Sequence, residues 1–311
     1  MRRFRTWQLI ISCVVGCLIL SCCSATQNPT SLSRAKSEIP EPTHPKVSLA
    51  IVKETPTQTL IPTLTATSTQ PPPTPTPTQT PTPTWVFNEA GRIDAPILLY
   101  HHVENEVSTS RYTVSIPDFR SQMAALDEMG FTAITISQFL EALLDGSDLP
   151  QNPVVITFDD GFESVYQNAF PIMKDFGYPG VFYIVANRIY DVPEFVNVAE
   201  LKEMIAAGWE IGSHSYSHAD LTKNHSIAAK EIGQSKKDLE AALSTPILTF
   251  AYPFGTIDSF TAQKVSDYTY RAGMGLGKAK THTWNTLFYL DRIEIYGDYS
   301  LEDFYQILSG D

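Results

Sequence analysis

The feature that most constrains this chain is a proline- and threonine-rich stretch near its N-terminus. Thr55 to Thr84 contains 22 Pro or Thr among 30 residues. Such a stretch buries too little apolar surface to offset the entropy lost when a chain becomes ordered. It therefore predicts a disordered linker over residues 23–84 and confines the fold to residues 85–311. That length is sufficient for one large domain with a substantial core.

Charge and cysteine content exclude several classes of function for residues 85–311. This part carries 15 Lys and Arg against 31 Asp and Glu, a net charge of −16. An acidic surface repels phosphate backbones, so a nucleic-acid partner is not expected. All four cysteines, Cys13, Cys17, Cys22 and Cys23, lie before it. The predicted domain therefore has no thiol for a disulfide, a cysteine zinc site or a nucleophile.

Residues 1–22 are typical of an export signal. Three arginines precede a mostly apolar run from Trp7 to Leu20, which is shorter than the roughly 20 residues that span a bilayer. The sequence ILSC at 19–22 resembles a bacterial lipobox and implies cleavage before Cys22 and lipidation of its thiol. An uncleaved signal anchor is the alternative. Both predict an exported protein held at the outer face of a bacterial membrane or in its wall, with the linker as a spacer.

From residue 85 onward, short apolar runs alternate with amphipathic ones. This alternation predicts a parallel sheet covered by helices, and eight candidate strands suggest closure into a barrel. Asn197 and Asp258 are predicted N-caps of helices. The predicted strands are 97–100, 132–135, 154–158, 181–185, 210–212, 247–251, 270–274 and 288–295. The predicted helices are 117–129, 138–144, 164–176, 198–207, 227–243 and 259–266.

Polar residues follow four of these strands, and in such barrels the carboxyl ends of the strands carry the functional groups. Each group alone has a structural explanation, since Asp-Asp-Gly is common in turns. Together, one carboxylate and two imidazoles at one end of a barrel predict an open three-ligand metal site. The groups are Asp159 with Asp160, His101 with His102, His214 with His218, and the segment 250–255.

The types of residue suit hydrolysis of an amide. A divalent metal on Asp160, His214 and His218 would polarise a carbonyl and acidify water. The i, i+4 spacing of the two histidines would place both rings on one face of a helix. Asp159 would act as general base, and the backbone N–H of Phe254 would stabilise the oxyanion. A histidine on the opposite side would protonate the leaving amine.

The segments TFDDG (157–161) and HSYSH (214–218) resemble the first two motifs of the polysaccharide deacetylase family, the NodB-type enzymes of carbohydrate esterase family 4. The resemblance extends from about Pro96 to Ile295. It implies a distorted (β/α)7 barrel that removes N- or O-acetyl groups from glycans. It also implies a divalent metal, with zinc favoured and cobalt or nickel as alternatives.

By position, the resemblance makes Asp159 the base and Asp160, His214 and His218 the metal ligands. Two features depart from the family pattern. Ala251 stands where most members have the arginine that orients the base, and no late histidine follows the strand beginning at residue 288. Arg292 is the candidate replacement for that arginine.

One subgroup, similar to the enzymes that act on poly-β-1,6-N-acetylglucosamine, shares the segments PILLYHHV (96–103) and YPFG (252–255). It supplies the acid histidine from the first strand, which implies that His101 is the acid. Because successive strand residues point to opposite faces, only one of His101 and His102 enters the barrel mouth. His102 is then structural.

These features predict a metal-dependent deacetylase of an N-acetylated glycan: poly-β-1,6-N-acetylglucosamine, peptidoglycan or a chitin-like polymer. Tyr252 and Phe254 are candidate contacts for substrate or oxyanion. A non-catalytic glycan-binding or wall-adhesion module on the same barrel, and a hydrolase of small amides, are the alternatives. No nucleotide is expected, because the glycine-rich segment 273–278 lacks the spacing of a phosphate-binding loop. His225 and His282 are expected at the surface.

Overall fold

The computed structural model describes residues 83–105, 110–190 and 192–309. The predicted signal segment with Cys22, and the predicted linker except residues 83 and 84, lie outside the described residues. The boundaries between these parts therefore stay predictions. Every helix in the described ranges is too short or too polar to cross a membrane.

Strands and helices alternate along most of the described chain. The strands are β1 (Trp85–Asn88), β2 (Arg92–Asp94), β3 (Ile97–Tyr100), β4 (His102–Glu104), β5 (Thr113–Ser115), β6 (Thr132–Ala133), β7 (Ser147–Pro150), β8 (Pro153–Phe158), β9 (Val181–Ile184), β10 (Glu210–Ser213), β11 (Thr249–Ala251), β12 (Ala272–Met274), β13 (Thr281–Thr283) and β14 (Ile293–Glu294). The α-helices are α1 (Ile116–Glu128), α2 (Ile136–Asp145), α3 (Phe170–Asp175), α4 (Val198–Ala206), α5 (Ser235–Leu243), α6 (Ser259–Asp267) and α7 (Leu301–Ser309).

Seven parallel strands form a distorted barrel, which confirms the predicted fold class. Their order is β12, β11, β10, β9, β8, β3 and β14. The ring closes because Leu290, just before β14, forms a parallel bridge to Met274 of β12, while β14 itself pairs with β3. One of the eight predicted strands, 132–135, is observed as β6. It pairs only with the first residues of β8 and lies outside the ring.

Side chains alternate between the barrel interior and the layer under the helices. In β8, Val155 belongs to the interior cluster, whereas Val154, Ile156 and Phe158 pack in the outer cluster. The strand period of two therefore directs Asp159, just after β8, into the barrel mouth. The same parity holds in β3, where Ile97 faces inward.

The glycine-rich segment 273–277 has a structural role in closing the ring. A Cβ placed on Gly275 would lie 2.6 Å from the ring of Tyr289, so a larger residue would push apart the strands that close the ring. The Gly275 and Gly277 N–H groups donate to the carbonyl oxygens of Leu290 and Arg292 at 2.8 and 3.0 Å. Glycine thus lets the last strand approach β12 closely enough to close the barrel.

Helix boundaries agree with the predictions except where a predicted helix begins with a π-helical turn. The predicted N-caps Asn197 and Asp258 are confirmed, each in a capping box. Two predicted helices begin with π-helical turns, Val165–Ala169 before α3 and Ala229–Gln234 before α5. Helix α7 was not predicted from the sequence, although its Phe304 and Leu308 have helical spacing and are buried.

His282 corrects one expectation. It lies in β13, next to β2, and only 1 % of its surface is exposed. Its ring packs edge-to-face on Phe139 at 5.4 Å between centroids. The prediction of a surface position was wrong because β13 pairs with β2, whose Ile93 belongs to the interior cluster. This pairing buries His282 against that cluster.

Candidate active site

The two consecutive carboxylates after β8 point in different directions. Asp159 is 3 % exposed and continues the inward row of the strand. Asp160 adopts a left-handed backbone conformation, with φ of 71°. This conformation is uncommon for a residue with a side chain and is often found at functional sites. It turns Asp160 toward His218, while Asp159 faces Arg292.

Arg292 holds Asp159 in a buried, bidentate ion pair. Both contacts, Nη1 to Oδ1 and Nη2 to Oδ2, are 2.7 Å long. The Arg292 Nε donates to the Gly275 carbonyl at 3.2 Å, which fixes the guanidinium plane. Burial acts to raise the pKa of Asp159, but the charge and the hydrogen bonds of Arg292 oppose it, and the pKa is lowered to about 2. Asp159 is therefore ionised at neutral pH. The structure brings Arg292 to Asp159, while its role in orienting a base stays a prediction.

Asp160, His214 and His218 form a cluster of possible metal ligands. Their donor atoms all lie within 4.8 Å of one another. The His218 Nε2 is 3.2 Å, and the His214 Nε2 3.8 Å, from Asp160 Oδ1. The His214 Nδ1 donates to the Ala251 carbonyl at 2.9 Å, so its Nε2 keeps a free lone pair toward the cluster. One carboxylate and two imidazoles in this arrangement fit a divalent transition metal with open coordination positions.

The two histidines do not share a helix, which corrects the inference from their spacing. Strand β10 ends at Ser213, and residues 214–218 form a turn in which Ser215 and His218 have positive φ. The His218 N–H donates to Ser215 Oγ at 2.8 Å. The rings of His214 and His218 nevertheless lie 4.9 Å apart. The turn, rather than a helical face, brings them together.

His101 and His102 have different surroundings. His101 lies beside the Tyr112 ring, with 4.9 Å between centroids. Burial lowers the pKa of His101, and the negative charges of Asp159 and Asp160 partly offset this. The His102 ring instead stacks on a phenylalanine at 3.7 Å, and its Nδ1 donates to a glutamate at 3.1 Å. This geometry favours His101 as the group that exchanges a proton in the cleft, which stays a prediction.

Phe254 and Tyr252 differ from each other. Phe254 is 61 % exposed, has φ of 61°, and its ring contacts the His218 ring at 4.5 Å. Tyr252 is buried, its hydroxyl donates to the Phe288 carbonyl at 3.0 Å, and its N–H donates to Met274. Both of its donors are thus used within the protein. Tyr252 nevertheless lines the cleft, and its contact with substrate or oxyanion stays a prediction.

A cleft of about 480 Å³ joins these groups. Glu294 and Tyr112 on its wall, and Arg188 beside the metal-site cluster, are polar residues that were not predicted from the sequence to be functional. Glu294 lies on its wall and accepts a hydrogen bond from the Tyr296 hydroxyl at 2.6 Å. Its position two residues after Arg292, on the same face of the strand, was a usable signal. Tyr112 lines the cleft next to His101. The Arg188 Nη1 lies 3.9 Å from Asp160 Oδ1. No local pattern in the sequence indicates that contact.

Comparison with known proteins agrees with this geometry. Residues 146–273 match the family model for polysaccharide deacetylase. The chain is 27 % identical over 201 residues to a poly-β-1,6-N-acetyl-D-glucosamine N-deacetylase of Staphylococcus aureus (strain MRSA252), a match that spans 60 % of this chain and 69 % of that one. It is 39 % identical over 95 residues to the Escherichia coli (strain K12) protein of the same name, spanning 30 % of this chain and 14 % of that one.

The fold has a solved counterpart. A polysaccharide deacetylase from Bacillus cereus superposes with a TM-score of 0.62 and 24 % identity, over 70 % of this chain and 69 % of that one. At this identity the likeness concerns the fold alone. Residues 146–273 of this chain match the polysaccharide deacetylase family, and the chain is similar to enzymes of that family, which are hydrolases.

Proposed function

We propose that the chain is an exported, metal-dependent N-deacetylase of an N-acetylglucosamine-containing polysaccharide. The observation that carries the proposal is that an ionised carboxylate and a cluster of metal-ligand side chains lie next to each other in one cleft. An ionised Asp159 is fixed by Arg292, and it lies beside the ligand cluster, with its Oδ2 3.8 Å from the His214 Nε2. A base next to a metal site is the arrangement that hydrolysis of an unactivated amide requires.

The metal would be held by Asp160, His214 and His218, whose donor atoms fit it. A divalent cation bound there supplies Lewis acidity to the amide carbonyl and lowers the pKa of water. Zinc suits a site of one carboxylate and two imidazoles, and cobalt and nickel suit it as well.

The side chains of the protein supply the proton transfers. Asp159 accepts a proton from the attacking water, and its ion pair with Arg292 keeps it ionised and oriented for this step. His101, across the cleft, donates a proton to the leaving nitrogen. Burial lowers the pKa of His101, and the two nearby carboxylates partly offset this. The backbone N–H of Phe254 donates to the developing oxyanion, a role supported by the contact of the Phe254 ring with the His218 ring.

The substrate and location are proposed from other features. Two relatives carry the name poly-β-1,6-N-acetyl-D-glucosamine N-deacetylase, so that polymer is the first candidate, ahead of peptidoglycan and chitin. The lipobox-like segment ending at Cys22 and the Pro/Thr-rich linker support a lipid- or signal-anchored enzyme that reaches an immobile glycan.

The test is acetate release by the full chain from poly-β-1,6-N-acetylglucosamine, peptidoglycan and chitin oligomers, with zinc and after titration with a chelator. We expect acetate from the first polymer, loss with the chelator and recovery on adding zinc. No acetate from any of the three at full zinc occupancy would overturn the proposal. Glycan binding that ignores the chelator would instead support an adhesion module. Fractionation of cells expressing the chain and its Cys22→Ser variant tests the anchor.

A further inference from the structure

A buried carboxylate next to the metal-site turn has no role in the chemistry described above. Glu231 is 3 % exposed and makes no ion pair among the described residues. Its Oε2 accepts hydrogen bonds from the backbone N–H groups of Tyr216 and Ser217 at 3.1 and 2.8 Å. Its Oε1 accepts one from the Ser217 hydroxyl at 2.7 Å. Because a buried charge is costly unless it is satisfied, these three bonds are what stabilise Glu231 in place.

All three donors belong to the turn between the two metal-site histidines. Tyr216 and Ser217 lie between His214 and His218, in a turn that contains two residues with positive φ. Such a strained residue persists only where its surroundings hold it in place. Consecutive N–H groups that converge on one point form a concave anion site. Here the anion is a side chain of the protein, and it holds the turn in its strained form.

The helical segment that carries Glu231, and helix α5 that continues it, make two further contacts with the same region. The Lys230 ammonium lies 4.3 Å from the centre of the Tyr216 ring, and the Ser235 and Ser213 hydroxyls are 2.9 Å apart. Glu231 sits in the π-helical segment Ala229–Gln234. Such wide turns are rare and recur at functional sites.

We propose that Glu231 is a positioning residue that sets the metal affinity of the Asp160, His214 and His218 cluster by fixing the turn from 214 to 218. The proposal rests on the proposed function, since it assumes that this cluster binds a metal. Outer partners of metal ligands orient the donor atoms, and their removal commonly weakens metal binding by about 10- to 100-fold. Glu231 acts on the turn as a whole, because its bonds go to the backbone between the two ligands.

The experiment measures zinc dissociation constants of the metal-free full chain by competition with a chromophoric chelator. For Glu231→Ala we expect binding weakened by about 10- to 100-fold. Glu231→Gln keeps an amide oxygen for the N–H groups and should fall between Glu231→Ala and wild type. Asp238→Ala removes a half-buried acid of α5 that accepts a hydrogen bond from the Gln234 side chain. It is the matched control and should bind zinc like wild type.

Kinetics separates positioning from chemistry. At saturating zinc the kcat of Glu231→Ala should recover most of its lost value, because the base and the acid are untouched. Ser217→Ala removes one donor without altering the helix, and it tests the same contact if Glu231→Ala does not fold. A folded Glu231→Ala with wild-type zinc affinity would overturn the inference, as would a Ser217→Ala that binds zinc like wild type when Glu231→Ala does not fold. Wild-type protein that binds none of zinc, cobalt and nickel would instead overturn the proposed function, so the two failures are distinguishable.

Discussion

The two halves of the cleft are built on different supports. The base half, Asp159 with Arg292, lies on residues that continue barrel strands inward, and its ion pair is buried. The ligand half, Asp160 with His214 and His218, lies at strand ends and turns. Asp160 and His218 have positive φ, and only His214 is fully buried.

This difference shows which forces hold each half. The strand ladder and one strong ion pair determine the base half, so its geometry depends on barrel closure. The ligand half depends on local contacts that hold strained turns, such as those made by Glu231 and Ser215. Substitutions in one half should therefore leave much of the other intact, and the following variants test that separation.

The largest effect is expected in the ligand half. His218→Ala removes a donor atom from the cluster, so zinc affinity should fall by more than about 100-fold, and acetate release should fall with it. The measurement is zinc competition together with acetate release at fixed zinc. His225→Ala removes an exposed histidine outside the cleft and should change neither. Retained zinc affinity in His218→Ala would remove this residue from the metal site.

Arg292→Met tests the base half from within. It breaks the bidentate pair and leaves Asp159 buried without its cation, so we expect kcat to fall by about 100-fold, or ~2.7 kcal/mol of transition-state stabilisation. Zinc affinity should stay close to the wild-type value. Arg120→Met, which removes an exposed pair with Asp175, is the control for loss of a cation. A parallel loss of zinc affinity would show that the halves are not separable.

A smaller effect is expected where the halves meet. The Thr256 hydroxyl donates to Asp220 at 2.9 Å and ties the Phe254 turn to the segment after His218. Thr256→Val should lower kcat by about 3- to 10-fold, since one hydrogen bond from a neutral hydroxyl to a carboxylate is lost. Thr281→Val removes a Thr–Asp contact in β13, away from the cleft, and should keep the wild-type kcat. Equal rates for the two variants would argue against a role for the Phe254 turn.

The smallest effect concerns stability outside both halves. Burial lowers the pKa of His282, and Asp291, the Ala95 carbonyl and Asp94 only partly offset it. His282 therefore binds a proton more readily in the unfolded chain than in the folded one. The contribution of neutral His282 to the free energy of unfolding is complete above pH 6.5 and is lost as the pH falls toward the folded pKa. The free energy of unfolding should decrease from pH 7 to pH 5 by less in His282→Leu than in wild type. A pH dependence identical to wild type would contradict this.

Much of the base half follows from short-range sequence patterns. The buried strand before Asp159, and the period of two that separates His101 from His102, are local properties of the chain. The contact between Arg292 and Asp159 is not local, because it joins residues 133 positions apart across the closing strand. Only the missing arginine of the family pattern pointed to it.

The ligand half shows the limit of spacing alone. An i, i+4 pair predicts a helix, but the segment from His214 to His218 is a turn with left-handed residues, which no hydrophobic period encodes. Glu231 was missed because two of its three hydrogen-bond donors are backbone N–H groups, which leave no mark in the sequence. The hydroxyl of Tyr252 donates to the Phe288 carbonyl, a contact that a tyrosine in a sequence motif does not reveal.

The most direct test of separate halves is to measure zinc affinity and acetate release together in Asp159→Asn. The substitution keeps the shape of the side chain and removes the proton acceptor. We predict that zinc binds nearly as in wild type, while kcat falls by about 100- to 10,000-fold, the usual contribution of a general base. Full activity, or a loss of zinc affinity as large as that of His218→Ala, would contradict the account.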